Sequence, residues 1–211
     1  MSAPHPLSVT ARPDADLSRW LWLVKWLLAL PHYLVLAVLW PVAVLSTMAA
    51  FVWVLCTGRH PRPLFDFTLG VLCWTWRVAF YSYGVLGTDR YPPFSLGPCP
   101  DYPAALHLSR PERLSRGLAL VKWWLLALPH YLVLGALAGS GTADGRLPGA
   151  LGLLVLYAGT ALLCTGRYPS GLFRLVTGCQ RWGLRVAVYA LLLTDTYPPF
   201  RLDQGGEEPV A

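Results

Sequence analysis

The sequence predicts an all-α integral membrane protein built as a tandem repeat, each copy a transmembrane helical hairpin followed by an amphipathic helix. Three observations predict it. The 211 residues are 55% hydrophobic and only 13% charged, with a mean hydropathy of +0.46, whereas soluble domains carry about 25% charged residues. From Trp20 to Cys56 the chain is almost uninterrupted apolar sequence, with Lys25 and His32 its only readily charged side chains. The two halves also repeat the same motifs in the same order. This composition excludes a disordered chain, a coiled coil and a disulfide-stapled secreted domain. The five cysteines contain no CxxC and no metal-like spacing.

The repeat runs nearly end to end. Leu23-Val24-Lys25-Trp26 matches Leu120-Val121-Lys122-Trp123 at an offset of 97, and Pro31-His32-Tyr33 matches Pro129-His130-Tyr131 at 98, after one residue inserted near Trp124. Cys56-Thr57-Gly58-Arg59 recurs as Cys164-Thr165-Gly166-Arg167 at an offset of 108. Trp74, Arg77 and Tyr81 recur as Trp182, Arg185 and Tyr189. Thr88-Asp89 and Tyr91-Pro92-Pro93-Phe94 recur as Thr194-Asp195 and Tyr197-Pro198-Pro199-Phe200. The expected organisation is repeat 1 over 1–97, a Pro-rich linker over 98–113, repeat 2 over 114–202 and a disordered acidic tail over 203–211.

Each element follows in order. The first helix of each copy is expected near 17–39 and 114–138, long enough for the ~30 Å hydrocarbon core. The second is expected near 41–56 and 148–164, after a turn at Trp40-Pro41 in one copy and at the polar stretch Gly139–Pro148 in the other. That stretch holds the ten extra residues of the second copy, and polar irregular backbone is excluded from hydrocarbon. The third is expected near 64–86 and 172–193. There Arg174, Gly178, Arg181 and Arg185 recur every three or four residues and so share one helical face. A flat interfacial helix, its stripe toward water and phosphate, is cheaper than a third span with buried arginines. Four spanning and two flat helices then put the basic segments and both termini on the cytoplasmic side. Short alternations at Leu7-Ser8-Val9 and Leu106-His107-Leu108 suggest brief strands ahead of each first helix.

The candidate functional residues are the repeated polar ones. Lys25, Lys122, Arg77, Arg174, Arg181 and Arg185 are candidates for contact with anionic lipid headgroups, although the lysines also fit simple snorkelling beside the tryptophans. His32 and His130 each follow a helix proline and are candidate haem or metal ligands, or structural kink histidines. Walker, GxGxxG, GxSxG and HExxH signatures are absent. The expected role is therefore a non-enzymatic accessory protein that binds membrane lipids or a protein partner, not nucleic acid, and needs no cofactor. The alternatives are a small transporter or channel, and a haem or metal protein using His32 and His130.

Several of these motifs carry a family resemblance. Leu23-Val24-Lys25-Trp26 with Pro31-His32-Tyr33, Thr165-Gly166-Arg167-Tyr168-Pro169-Ser170-Gly171-Leu172-Phe173, and Thr88-Asp89-Arg90-Tyr91-Pro92-Pro93-Phe94-Ser95-Leu96 resemble a bacterial membrane family known as domain of unknown function 4389. The resemblance implies a protein of the bacterial cytoplasmic membrane and brings no activity, ligand or catalytic residue with it. This chain departs at Gly58-Arg59-His60-Pro61-Arg62-Pro63, where Tyr-Pro-x-Gly is expected, and at Arg174, where the family reads Asp, kept here as Asp66.

Overall fold

The computed structural model describes residues 5–139 and 149–203. The polar stretch 140–148 and most of the acidic tail lie outside the described residues. The chain is mostly helical. In order come β1 (Leu7–Ala11), α1 (Lys25–Thr57), α2 (Arg62–Tyr81), β2 (Ala104–Leu108), α3 (Arg116–Val121), α4 (Leu128–Ala138), α5 (Ala150–Thr165) and α6 (Ser170–Ala190). A π turn over Lys122–Leu126 joins α3 to α4.

The expected turn at Trp40-Pro41 is absent. The chain stays helical through both Pro31 and Pro41, giving one rod of 33 residues where a hairpin was expected. Each proline removes a single ladder donor. The buried residues Lys25, Ala29, His32, Leu36, Ala43, Ala50 and Val54 follow one another at steps of three, four or seven, so a single packing seam runs the length of α1 and holds the helix together across the prolines. In place of four spanning helices, two stretches are long and apolar enough to cross a membrane, Lys25–Thr57 and Arg116–Leu137, with Ala150–Thr165 a shorter apolar helix. Only 17% and 22% of their most apolar windows are buried, so most of each window is left uncovered by the described residues.

α1 and α5 both end on a left-handed glycine, Gly58 (φ 70°) and Gly166 (φ 71°), the conformation that a residue without Cβ adopts at least cost. Thr57 and Thr165 reinforce the caps, each hydroxyl accepting the N–H of Arg59 or Arg167 at 3.2 Å. This accounts for the repeated Thr-Gly-Arg.

α2 is the central helix. On one side Trp74 and Val78 pack with Leu36 of α1. On the roughly opposite side the Cys73 thiol donates to the Leu106 carbonyl at 3.5 Å and Trp76 Nε1 donates to the Thr10 carbonyl at 3.2 Å. The order of layers is therefore α1, then α2, then the sheet. The two suspected strands do form, and they pair with each other, antiparallel, with Leu7 opposite Leu108, Val9 opposite Leu106 and Ala11 opposite Ala104. Leu7, Val9, Leu106 and Leu108 face inward, while Ser8 and His107 face out. Under the offset of 97 this register is self-complementary about Val9–Leu106. Flanking bonds obey it too: Arg12 N–H donates to Pro103 O and Ser109 N–H to Pro6 O.

The halves also exchange contacts at the ends of their apolar helices. Val54, near the end of α1, packs with Leu114, Ala119 and Leu192, and Leu114 N–H donates to Gly58 O at 2.9 Å. At the other end a Cβ on Gly159 of α5 would lie 3.0 Å from the Trp22 ring, and one on Gly166 only 2.5 Å from the Arg19 guanidinium.

Candidate functional site

Two matching polar clusters sit beneath the apolar helices. In the first, Lys25 Nζ pairs with Asp89 Oδ1 at 2.8 Å and donates to the Thr88 carbonyl at 2.7 Å. In the second, Lys122 pairs with Asp195 at 2.7 Å and donates to the Thr194 carbonyl at 2.8 Å. The Tyr81 and Tyr189 rings lie 5.0 and 5.4 Å from the two ammonium groups. The second carboxylate oxygen of each pair accepts a backbone N–H, from Ser18 or Ser115. Two left-handed leucines, Leu86 (φ 60°) and Leu192 (φ 63°), shape the turns that aim these threonine carbonyls. A left-handed non-glycine residue costs about 1–2 kcal/mol, and the same cost is borne at both clusters. Both lysines are fully buried. Their charge is met within the fold by carboxylates that are themselves only partly buried.

The one-residue difference between the halves is absorbed locally. Lys25 and His32 are seven residues apart, two α-helical turns, and share a face. Lys122 and His130 are eight apart, which in a regular α-helix rotates the second residue by about 100°. The π turn over Lys122–Leu126 takes up the extra residue, and both side chains stay buried.

Each histidine lies in an aromatic cage made by the Tyr-Pro-Pro-Phe segment. Phe94 stacks on His32 and Phe200 on His130 at 4.0 Å, with Tyr91 and Tyr197 alongside. Trp74 and Trp182 each donate Nε1–H to the histidine Nδ1 at 3.1 Å. A neutral imidazole whose Nδ1 accepts carries its proton on Nε2, so it has no free lone pair for iron or another metal. Among the described residues neither Nε2–H has a hydrogen-bond partner, and no group of three or more His, Cys, Asp or Glu side chains is placed to hold a metal. The haem or metal role does not fit this geometry.

The stripe on the third helix does not open to water along its length. Arg77 donates to the Gly97 carbonyl at 3.0 Å and to the Ser95 carbonyl. Arg185 donates to the Arg201 carbonyl at 2.8 Å and to the Asp203 carbonyl. The extended chain after each Tyr-Pro-Pro-Phe lies on that stripe, and Gly70 and Gly178 make room for it. A Cβ there would fall 2.8 Å from Leu96 O or 2.7 Å from the Leu202 side chain. Both arginines are buried structural clamps. Arg174 is exposed and Arg181 half-buried, so of the six cationic candidates only these two present toward solvent.

A basic cleft of about 520 Å³ was not singled out by the sequence. It lies where the end of α1 meets the start of α3, lined by Thr57, Gly58, Arg59, Arg113, Leu114 and Arg116. The three arginines are exposed, and among the described residues no carboxylate lies within ion-pair distance of them. The corresponding positions at the other junction are Arg167, Asp16 and Arg19. The clue was present in sequence, as Thr-Gly-Arg and Leu-Ser-Arg both repeat, but they lie more than 50 residues apart within each junction.

These clusters bear directly on the comparison with known families. Residues 19–95 match the family described as Domain of unknown function (DUF4389). The matched stretch contains Lys25, His32, Trp74, Asp89 and Phe94 of the first cluster and stops before β2. No curated protein and no solved structure matches the chain.

Proposed function

We propose that this chain is a non-enzymatic accessory protein of the bacterial cytoplasmic membrane that holds anionic phospholipid headgroups, for itself or for a protein partner. One observation carries the proposal: the cleft of Arg59, Arg113 and Arg116 lies at the meeting point of two apolar helices whose outer faces are uncovered. Guanidinium groups match phosphate in charge and in hydrogen-bond geometry, and anionic lipid favours basic groups beside a membrane surface. Burial of Lys25 at the start of α1 and of Lys122 in the π turn before α4 supports membrane residence, since unpaired charge there is costly. The ordered motifs, the two matching clusters and the self-complementary strand register support an origin by tandem duplication.

The test is native mass spectrometry of the full chain purified with phosphatidylglycerol and phosphatidylcholine. One phosphatidylglycerol per chain is expected to survive. The triple change Arg59→Gln, Arg113→Gln, Arg116→Gln is expected to lower its retention at least tenfold, about 1.4 kcal/mol. Asp16→Arg, which completes the second junction, is expected to add a second lipid. Unchanged retention in the triple variant would reject the proposal. Ion flux into proteoliposomes would favour a small transporter or channel instead, and a Soret band a haem protein.

A further inference from the structure

We infer that the chain lies in one leaflet of the bilayer, with α1 and the α3–α5 stretch running along the membrane plane and the sheet facing water. The inference rests on the membrane reading above and adds the orientation. α1 is 33 residues long, about 50 Å at 1.5 Å per residue, against a hydrocarbon core of about 30 Å. Its covered seam faces α2 around Leu36 and the start of α3 at Val54. The opposite face carries Leu27, Leu34, Val38, Leu45, Met48 and Val52, each more than half exposed.

The layer order decides between upright and flat. The sheet packs against Cys73 and Trp76 of α2, and the adjacent Trp74 packs against Leu36 of α1. The sheet is thus abreast of the body of α1, not beyond its end. An upright α1 would carry the outer face of the sheet, with its exposed polar side chains, into hydrocarbon, where polar groups are costly to bury. A flat α1 leaves the sheet, with Ser8 and His107 outward, one helix layer above the lipid. A helix with side chains is about 10–12 Å thick, so it fits within one leaflet.

The borders of the apolar face agree. Trp20 and Trp26 near one end of α1, Trp53 near the other, and Trp123 and Trp124 at the start of the second apolar stretch are all about half exposed or more, the depth at which tryptophan accumulates. Arg19 and Arg167 flank one junction, and Arg59, Arg113 and Arg116 the other. Flat placement brings all five to the headgroups of a single leaflet; upright placement divides them between two. The occupant of the apolar face is therefore one leaflet of an anionic bilayer.

The test is a depth profile of the full chain in phosphatidylglycerol-containing vesicles. Single nitroxides at Leu27→Cys, Leu34→Cys, Leu45→Cys and Val52→Cys, in a background with the native cysteines replaced, report collision with oxygen against an aqueous nickel chelate. Flat placement predicts the same depth at all four, within ~5 Å, half a helix diameter. An upright helix changes depth by about 1.5 Å per residue, with a maximum between Leu34 and Leu45, and that profile would overturn the inference. Release of the chain by alkaline carbonate would instead remove the membrane reading beneath.

Discussion

Lys25 and Lys122 each sit fully buried against one aspartate and one threonine carbonyl. The desolvation of such an ammonium is compensated only while the carboxylate is present, and removing one partner of a buried pair costs about 3–5 kcal/mol. Asp195→Asn is therefore expected to lower the thermal midpoint of the detergent-solubilised chain sharply. Lys122→Met combined with Asp195→Leu should recover most of that loss, as scanning calorimetry of the four members of the cycle would show. A double-variant loss equal to the sum of the two single losses would mean that the pair is not coupled. The sequence marked both lysines and both aspartates as repeated residues. It did not join them, because each pair is separated by more than 60 positions and no local pattern encodes a contact across that distance. The arginines were hidden for a related reason: helical spacing put Arg185 on one face of α6 with Arg174 and Arg181, but it said nothing of the chain segments Ser95–Gly97 and Arg201–Asp203 that cover Arg77 and Arg185.

At the scale of elements, the brief alternations at 7–9 and 106–108 did become strands, since alternation with period two is a direct imprint of one covered face. The proline at 41 was a weaker guide. It marks a lost donor, yet the seam from Lys25 to Val54 passes through it without changing phase, and packing along an entire helix outweighs one missing bond. The inserted residue near Trp124 was legible as an offset change, and its structural form is the π turn. Deleting Trp124 should therefore restore a regular helix with Lys122 and His130 still on one face, and leave the thermal midpoint within a few degrees of the parent. Deleting Leu28 from α1 should turn His32 about 100° away from Trp74 and lower the midpoint well beyond that. The order of the two midpoints, read by intrinsic tryptophan fluorescence during heating, checks the assignment; a Trp124 deletion as damaging as the Leu28 deletion would count against it.

At the scale of the whole molecule, the N-terminal strand joins the two halves, and His5 stands at its entrance. Burial first, then the nearby Arg185 guanidinium, lowers the His5 pKa from 6.5 to about 4, and its Nδ1 accepts the Leu7 N–H at 3.1 Å. The unfolded chain thus binds this proton at higher pH than the folded one. Its contribution to stability is complete above about pH 6.5 and is lost as pH falls toward 4. Unfolding midpoints measured from pH 7.5 to 4.5 should fall, and His5→Gln should flatten part of that slope; an unchanged slope in the variant would assign the effect elsewhere. The strand that His5 leads has one more implication. Because a single polypeptide supplies both partners of the β1–β2 pair, their association is intramolecular and does not depend on dilution. The tether also frees the two ends from having to be identical, so one junction can hold Arg113 where the other holds Asp16, an asymmetry that two separate, identical subunits could not encode.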